Sequence, residues 1–340
     1  MALVLSEDQQ LLKDSAKSFC QQNSPLSVLR RLRDTKDETG FDLKIWGKML
    51  ELGWAGMAIP ESYGGFEFGY SGLGVVLEEC GRTLTSSPLI STVLISATAI
   101  NVIGNDTQKQ HLLPKLVTGE LLCSLALDEE IVHCPNRITT TAKRVGDTYS
   151  IVGEKKFILD GHIADKLIVA ARTSGEPDSK NGVSLFLVDA NVPGVEISRT
   201  WMVDSRNSAT AIFNNVTIDE SNLIGKENKA YDDLHYVLDI ARIGLASEML
   251  GSIQEVFDRI VEYLKQREQF GVLIGSFQGL QHRAANMYSE IELCKSTVRA
   301  ALAALDRKES ERRESYLEEV DLWKNKYLHS VIEKNIEIKS

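Results

Sequence analysis

The hydrophobic period of this chain changes twice, and that order constrains its fold more than any single motif. Up to about residue 120, apolar residues recur at helical spacing. Ser6 and Gln9 have capping-box spacing and open a run with Leu12, Ala16 and Phe19. Phe41, Ile45, Trp46, Met49 and Leu50 form a second apolar face that stops near Gly53. After the loop Ile59–Gly65, helical patterns resume around 72–80 and 88–102, and a further helix is expected after Asn105-Asp106, interrupted at Pro114. From about Leu122 the pattern becomes short runs rich in Val, Ile, Thr and Phe, at 138–145, 149–152, 166–171, 183–188 and 209–218, with a polar loop at 174–182. From Tyr231 the helical period returns. One long helix is marked by Leu234 through Leu264, and a second, beginning near Leu280, follows a loop at 266–276.

The order helices, strands, helices predicts an α+β protein. We expect an N-terminal all-helical domain at 1–120 and a small β domain, barrel or sandwich, at 121–230. An incomplete helical-bundle domain at 231–305 follows, then a divergent charged tail at 306–340. That tail lacks Ala, Gly and Pro, and Tyr316, Val320, Trp323, Tyr327 and Val331 would line one face of a helix within it.

Composition excludes several classes. Hydrophobic residues make up 43% and charged residues 25%, as in soluble globular proteins. The formal charge of −10 argues against nucleic-acid binding, which needs clustered Lys and Arg. Cys20, Cys80, Cys123, Cys134 and Cys294 are odd in number, widely spaced and without a CxxC, so neither a disulfide framework nor a zinc cluster is expected, and a reducing cytoplasm is the simplest compartment. The six histidines lack metal-ligand spacing. The uncharged stretch 83–105 is long enough to span a bilayer. Its Ser and Thr residues and Pro88 fit a buried helix better, so no membrane span is expected.

No catalytic triad, HExxH, Walker loop or GxGxxG is present. The informative segment is Gln266-Arg267-Glu268-Gln269-Phe270-Gly271, followed by Ser276-Phe277-Gln278-Gly279-Leu280-Gln281. It resembles the Arg-x-x-Phe-Gly and Phe-Gln-x-x-Gln pattern in the third domain of acyl-CoA dehydrogenases. Further matches run in that family's order: LGWAGMAIPESYGG at 52–65, Gly119-Glu120, GEKKFI at 153–158, Asp160-Gly161, Pro193-Gly194-Val195, Leu223-Ile224-Gly225 and LDIARIGLA at 238–246. Together they cover about residues 1–305.

The resemblance implies α,β-dehydrogenation of an acyl-CoA thioester from fatty-acid or steroid side-chain degradation, with the β-hydride passing to FAD. It also implies a homo- or hetero-oligomer, dimer or tetramer, sharing the flavin site, with an electron-transfer flavoprotein as acceptor. By the same resemblance Arg267 contacts the flavin diphosphate of a neighbouring subunit, a role a guanidinium fork suits. Phe270 and Gln278 belong to that motif, Phe157 stands where tryptophan faces the flavin, and Asp239 and Arg242 line the acyl-CoA site. The residues alone also allow plainer roles: a surface arginine, a packed phenylalanine, a helix-surface amide and a helix-surface salt bridge.

The chain also departs from the family. Its flavin loop reads Leu127-Asp128-Glu129-Glu130 in place of Thr-Glu-Pro, and Ile131–Asn136 replaces the Gly-Ser-Asp continuation. Leu159 replaces a threonine. Ala241 stands where some members carry the catalytic glutamate, and Gly279 is the last glycine, so no Gln-x-x-Gly-Gly motif follows it. Glu248, further along that helix, lacks the spacing to stand beside Arg242. No residue is therefore assigned as the catalytic base, and the chain alone is expected to turn over poorly. Three readings remain open: a dehydrogenase shortened by truncation or frameshift, the non-catalytic partner subunit of a mixed dehydrogenase assembly, and a helical interaction protein without redox activity.

Overall fold

The computed structural model describes residues 4–307. The amphipathic tail helix expected within 306–340 lies outside the described residues, apart from Asp306 and Arg307. In chain order the helices are α1 (Glu7–Asn23), α2 (Leu26–Asp34), α3 (Leu43–Glu51) and α4 (Gly69–Thr83), then a π-helix (Leu89–Ala97), α5 (Thr98–Ile103) and α6 (Asp106–Thr118). The strands follow: β1 (Cys123–Ala126), β2 (Thr141–Val145), β3 (Thr148–Leu159), β4 (Lys166–Arg172), β5 (Val183–Asp189), β6 (Val195–Trp201), β7 (Asn207–Asp219) and β8 (Leu223–Ile224). The long helix α7 (Tyr231–Gln266), a hairpin of β9 (Glu268–Gln269) and β10 (Val272–Leu273), and α8 (Gln278–Asp306) complete the described chain.

The capping box at Ser6 forms: its hydroxyl accepts from Gln9 N, and the Gln9 side chain returns to Ser6 N. Asn105 and Gln108 form a second at the start of α6. The expected break at Pro114 does not occur, because α6 continues to Thr118. The proline forfeits one helical hydrogen bond, while Leu112, Leu113 and Leu116 are buried and hold the helix in place. The uncharged segment after Pro88 is buried as expected, and the structure adds that its first nine residues wind as a π-helix. Among the described residues no helix is long and apolar enough to cross a membrane.

The chain folds into two compact units. One takes 30–67 and 86–241. Its eight strands run in the order β6-β7-β3-β2-β4-β5-β8, with β1 parallel to β4 off that path. Alternate residues of β4 and β5 feed two cores. Ile168, Ala170, Leu185 and Leu187 face the helical side with Leu112, Leu116 and Leu234. Leu167, Val169, Phe186 and Val188 join Tyr149, Phe213 and Val216 on the other face. Both faces of these strands are thus buried, which explains their nearly continuous apolar runs.

The other unit takes the described residues of 1–29, 68–85 and 242–340. Here α4 packs on α7 through close backbone approaches. A Cβ at Gly81 would lie 1.9 Å from the Glu248 carbonyl oxygen, and one at Gly251 would lie 1.7 Å from that of Glu78. Charges tie α4 to α1 and to α7. Lys13 Nζ lies 2.5 Å from Glu78, and Arg82 reaches Glu255 at 2.9 Å and Asp258 at 2.7 Å. Asp306 caps α4, accepting from Tyr70 N at 2.7 Å and Ser71 N at 3.0 Å.

Candidate functional site

Phe157 owes its position to a bulge. Along β3 the odd residues Tyr149, Ile151 and Lys155 point inward, so strict alternation would bury Phe157. The β3–β7 register slips between Lys155 and Ile158, Phe157 adopts φ 52°, and Ile158 takes the inward place. The phenyl ring is left 39% exposed on a rigid strand. Asp160, three residues on, also has positive φ. Its buried carboxylate accepts from Ser91 Oγ on the π-helix at 2.5 Å, and burial raises its pKa.

The loop before β2 is fixed to this strand by a feature that neither composition nor motif reveals. Lys155 is fully buried, and its Nζ donates to Glu129 at 2.7 Å and to the Leu127 carbonyl at 2.9 Å. Glu129 also accepts from the backbone amides of Thr139 and Thr140 and from the Thr139 hydroxyl. Burial opposes its charge, but Lys155 and these donors outweigh it and lower its pKa to about 2. Burial shifts Lys155 downward against the pull of Glu129. The signal was present in the sequence: a lysine at an inward position of an alternating strand requires a carboxylate opposite it. The neighbouring Asp128 turns the other way. Its carbonyl accepts from Lys156 N at 2.7 Å, and its carboxylate takes His133 Nδ1 at 2.8 Å and Cys134 N at 3.2 Å.

Arg267, Phe270 and Gln278 come together on one short structure. Arg267 follows the last residue of α7, and its carbonyl accepts from Ile274 N, which closes the β9–β10 hairpin. Phe270 sits at the tip with φ 55°, beside Gly271 with φ 76°. The ring is 93% exposed and touches Phe277 edge-on at 6.4 Å between centroids. Gln278 is the first residue of α8. All three side chains are exposed. Asp239 and Arg242 lie three residues apart on α7, so both occupy one side of that helix. Leu159 and Ala241 bring no polar side-chain atom to their positions. Among the described residues no cluster of His, Cys, Asp and Glu could hold a metal ion.

Helices before and after a mixed sheet in the chain, with an arginine-bearing hairpin after the long helix, define an architecture that comparison with known proteins identifies. The acyl-CoA dehydrogenase N-terminal, middle and C-terminal domain profiles match residues 6–120, 134–216 and 232–329. Isovaleryl-CoA dehydrogenase of Pongo abelii is 32% identical over 316 residues, 89% of this chain and 73% of that one. Butyryl-CoA dehydrogenase of Megasphaera elsdenii superposes with a TM-score of 0.83 at 26% identity, covering 94% of this chain and 86% of that one. A steroid ACAD named Tcur3481-Tcur3483 is 30% identical, with a TM-score of 0.81 and coverage of 94% and 83%. The chain belongs to the acyl-CoA dehydrogenase family of flavoprotein oxidoreductases.

FAD is the cofactor of this family, and the donor set here suits it. The hairpin offers a cation, an amide and an exposed ring, which match a diphosphate and its attached nucleoside. Phe157 offers an exposed aromatic face suited to an isoalloxazine. The loop at 127–134 instead brings carboxylates already engaged by Lys155 and His133.

Proposed function

We propose that this chain is an FAD-holding subunit of an acyl-CoA dehydrogenase and works in an oligomer on the α,β-dehydrogenation of an acyl-CoA thioester. The observation carrying this reading is the 267–278 hairpin, which displays Arg267, Phe270 and Gln278 outward together. An exposed Phe at a hairpin tip gains nothing for the isolated chain, whereas it suits a surface completed by a ligand and a second subunit. Bound FAD would supply the two-electron acceptor for the β-hydride. Arg267 would fork onto diphosphate oxygens of the neighbouring subunit's cofactor, with the Gln278 amide as a second donor. Phe157 would exclude water from one flavin face. Asp239 and Arg242 would orient the acyl-CoA, and an electron-transfer flavoprotein would collect the electrons.

One set of residues favours a more specific form of this reading, a partner subunit in a mixed assembly. Asp128 and Leu159 offer no hydroxyl where the family places threonines, and Ala241 cannot accept a proton. In such an assembly this chain lends its hairpin to a site whose proton-accepting carboxylate comes from the partner. The two-component name of the steroid ACAD relative agrees with that arrangement.

The test is flavin retention. Losing a charge-assisted fork costs about 1.5–3 kcal/mol, so Arg267→Ala should bind FAD roughly 10–100-fold more weakly, read from flavin absorbance after gel filtration. Unchanged occupancy would refute the role of Arg267. Co-expression with neighbouring genes, followed by subunit and flavin stoichiometry, separates the two forms. One FAD per chain in a homo-oligomer would exclude the partner-subunit form.

A further inference from the structure

Two thiols far in sequence from the hairpin and from Phe157 lie close enough to react with each other. Cys20 is near the end of α1 and Cys80 is in the last part of α4, sixty positions later, yet their sulfurs are 3.9 Å apart. Both helices belong to the same compact unit. The Lys13–Glu78 ion pair at 2.5 Å ties α1 to α4 two turns earlier along α1. Both residues are buried, at 1% and 2% exposure, but Cys20 lines a cavity of about 380 Å³ whose walls include Lys17, Glu79, Arg82 and Ser252. A cavity of that size admits a molecule as small as water or hydrogen peroxide. Cys80 does not line it.

We propose that Cys20 and Cys80 form an oxidative modification site, in which hydrogen peroxide entering through the cavity converts the pair into an intrachain disulfide fastening α1 to α4. In the first step the Cys20 sulfur attacks one peroxide oxygen. The O–O bond breaks, sulfur loses two electrons to become a sulfenic acid, and water leaves. In the second step the Cys80 sulfur attacks the Cys20 sulfur. The S–S bond forms, the S–O bond breaks, and hydroxide leaves with the Cys80 proton as a second water. The total is two thiols and one peroxide giving one disulfide and two waters. Closing the sulfurs from 3.9 Å to about 2.05 Å requires about 1.9 Å of approach. The contact with Cys20, together with burial, holds the Cys80 thiol well above its ordinary pKa. A protonated Cys80 attacks slowly, so disulfide closure is slower here than at an exposed thiol pair. Cys134 is exposed, and no other cysteine is placed beside it among the described residues.

The test uses the full chain carrying Cys134→Ser, which prevents bridging between molecules. After peroxide treatment, quenching and alkylation in denaturant, peptide mass spectrometry should find the Cys20 and Cys80 peptides joined, with loss of two hydrogens and release by dithiothreitol. Cys294 should remain alkylated. In a chain that also carries Cys80→Ala, dimedone should label Cys20. Full alkylation of both Cys20 and Cys80, at peroxide levels that oxidise Cys134 in the unsubstituted chain, would overturn the proposal. Dimedone capture on Cys80 of a Cys20→Ala chain, with none on Cys20 of the Cys80→Ala chain, would overturn the cavity route.

Discussion

Glu129→Gln is the most informative single substitution outside the hairpin, because the structure fixes both its size and its pH dependence. In the native chain Glu129 faces a fully buried lysine at 2.7 Å. Its pKa is lowered from 4.5 to about 2. Unscreened, that difference is worth about 3 kcal/mol of native stability, and solvent screening at the loop brings it to about 2 kcal/mol. The sign follows from the depressed pKa. The contribution is complete above pH 4.5, the unfolded value, and is lost as pH falls toward 2. The amide variant removes the charge and leaves Lys155 with only the Leu127 carbonyl and a neutral acceptor, so at pH 7 it should lose about 3 kcal/mol. Lys155→Met should lose less, about 1–2 kcal/mol, because Glu129 keeps its three donors from Thr139 and Thr140. Urea unfolding at pH 7 and at several values between 5 and 2.5 measures both effects. If the two variants lose equal stability, or the acid slope survives in Glu129→Gln, the ion pair does not hold the loop as argued.

Three further outcomes are expected. Burial raises the pKa of Asp160, outweighing the donors Ser91 and Asn207 and the charges of Arg206 and Arg199, so its contribution is full below the ordinary carboxylate range and lost as pH rises through the native value. Asp160→Asn should raise stability at pH 7 by about 1 kcal/mol and flatten that slope, and an unchanged urea midpoint across pH 4–7 would refute this. Arg172 donates to the carbonyls of Ile138, Pro177, Ser179 and Asn181, so Arg172→Lys should cost about 2 kcal/mol and open the 174–182 loop to protease, visible as early cleavage there. Gly81→Ala would drive a Cβ onto the Glu248 carbonyl, and a loss of at least about 3 kcal/mol is expected by thermal melting; Gly279→Ala, in open space, should be nearly neutral.

Elements whose residues carry their own pattern were legible in the sequence. The long α7, the polar loop at 174–182 and the strands at 166–171 and 183–188 follow from spacing alone. The expected run at 149–152 proved to be part of a strand reaching Leu159, because Glu154, Lys155 and Lys156 hid its apolar alternation. Glu129, the partner of Lys155, lies 26 residues away in sequence, so no local pattern in β3 pairs the two. The π-helix was not readable either: Leu89 to Ala97 is buried almost all round, Ser91, Thr92 and Ser96 included, so no face marks its winding. At the candidate site, the hairpin residues were found through likeness to a family. The exposure of Phe157 depends on a one-residue slip against β7, which no local pattern in β3 announces.

The capping of α4 by Asp306 has a consequence for synthesis. The first turn of α4 waits for a carboxylate more than two hundred residues downstream, and its glycine faces wait for the second part of α7. The sheet-containing unit takes its last residue at Ala241. At 5–20 residues per second the ribosome needs roughly 3–13 s more to deliver the segment from 242 to 307. During that interval a nascent chain can carry a finished sheet while α1 and α4 still present bare apolar and acidic surfaces. Chaperones and proteases would meet the protein in that form.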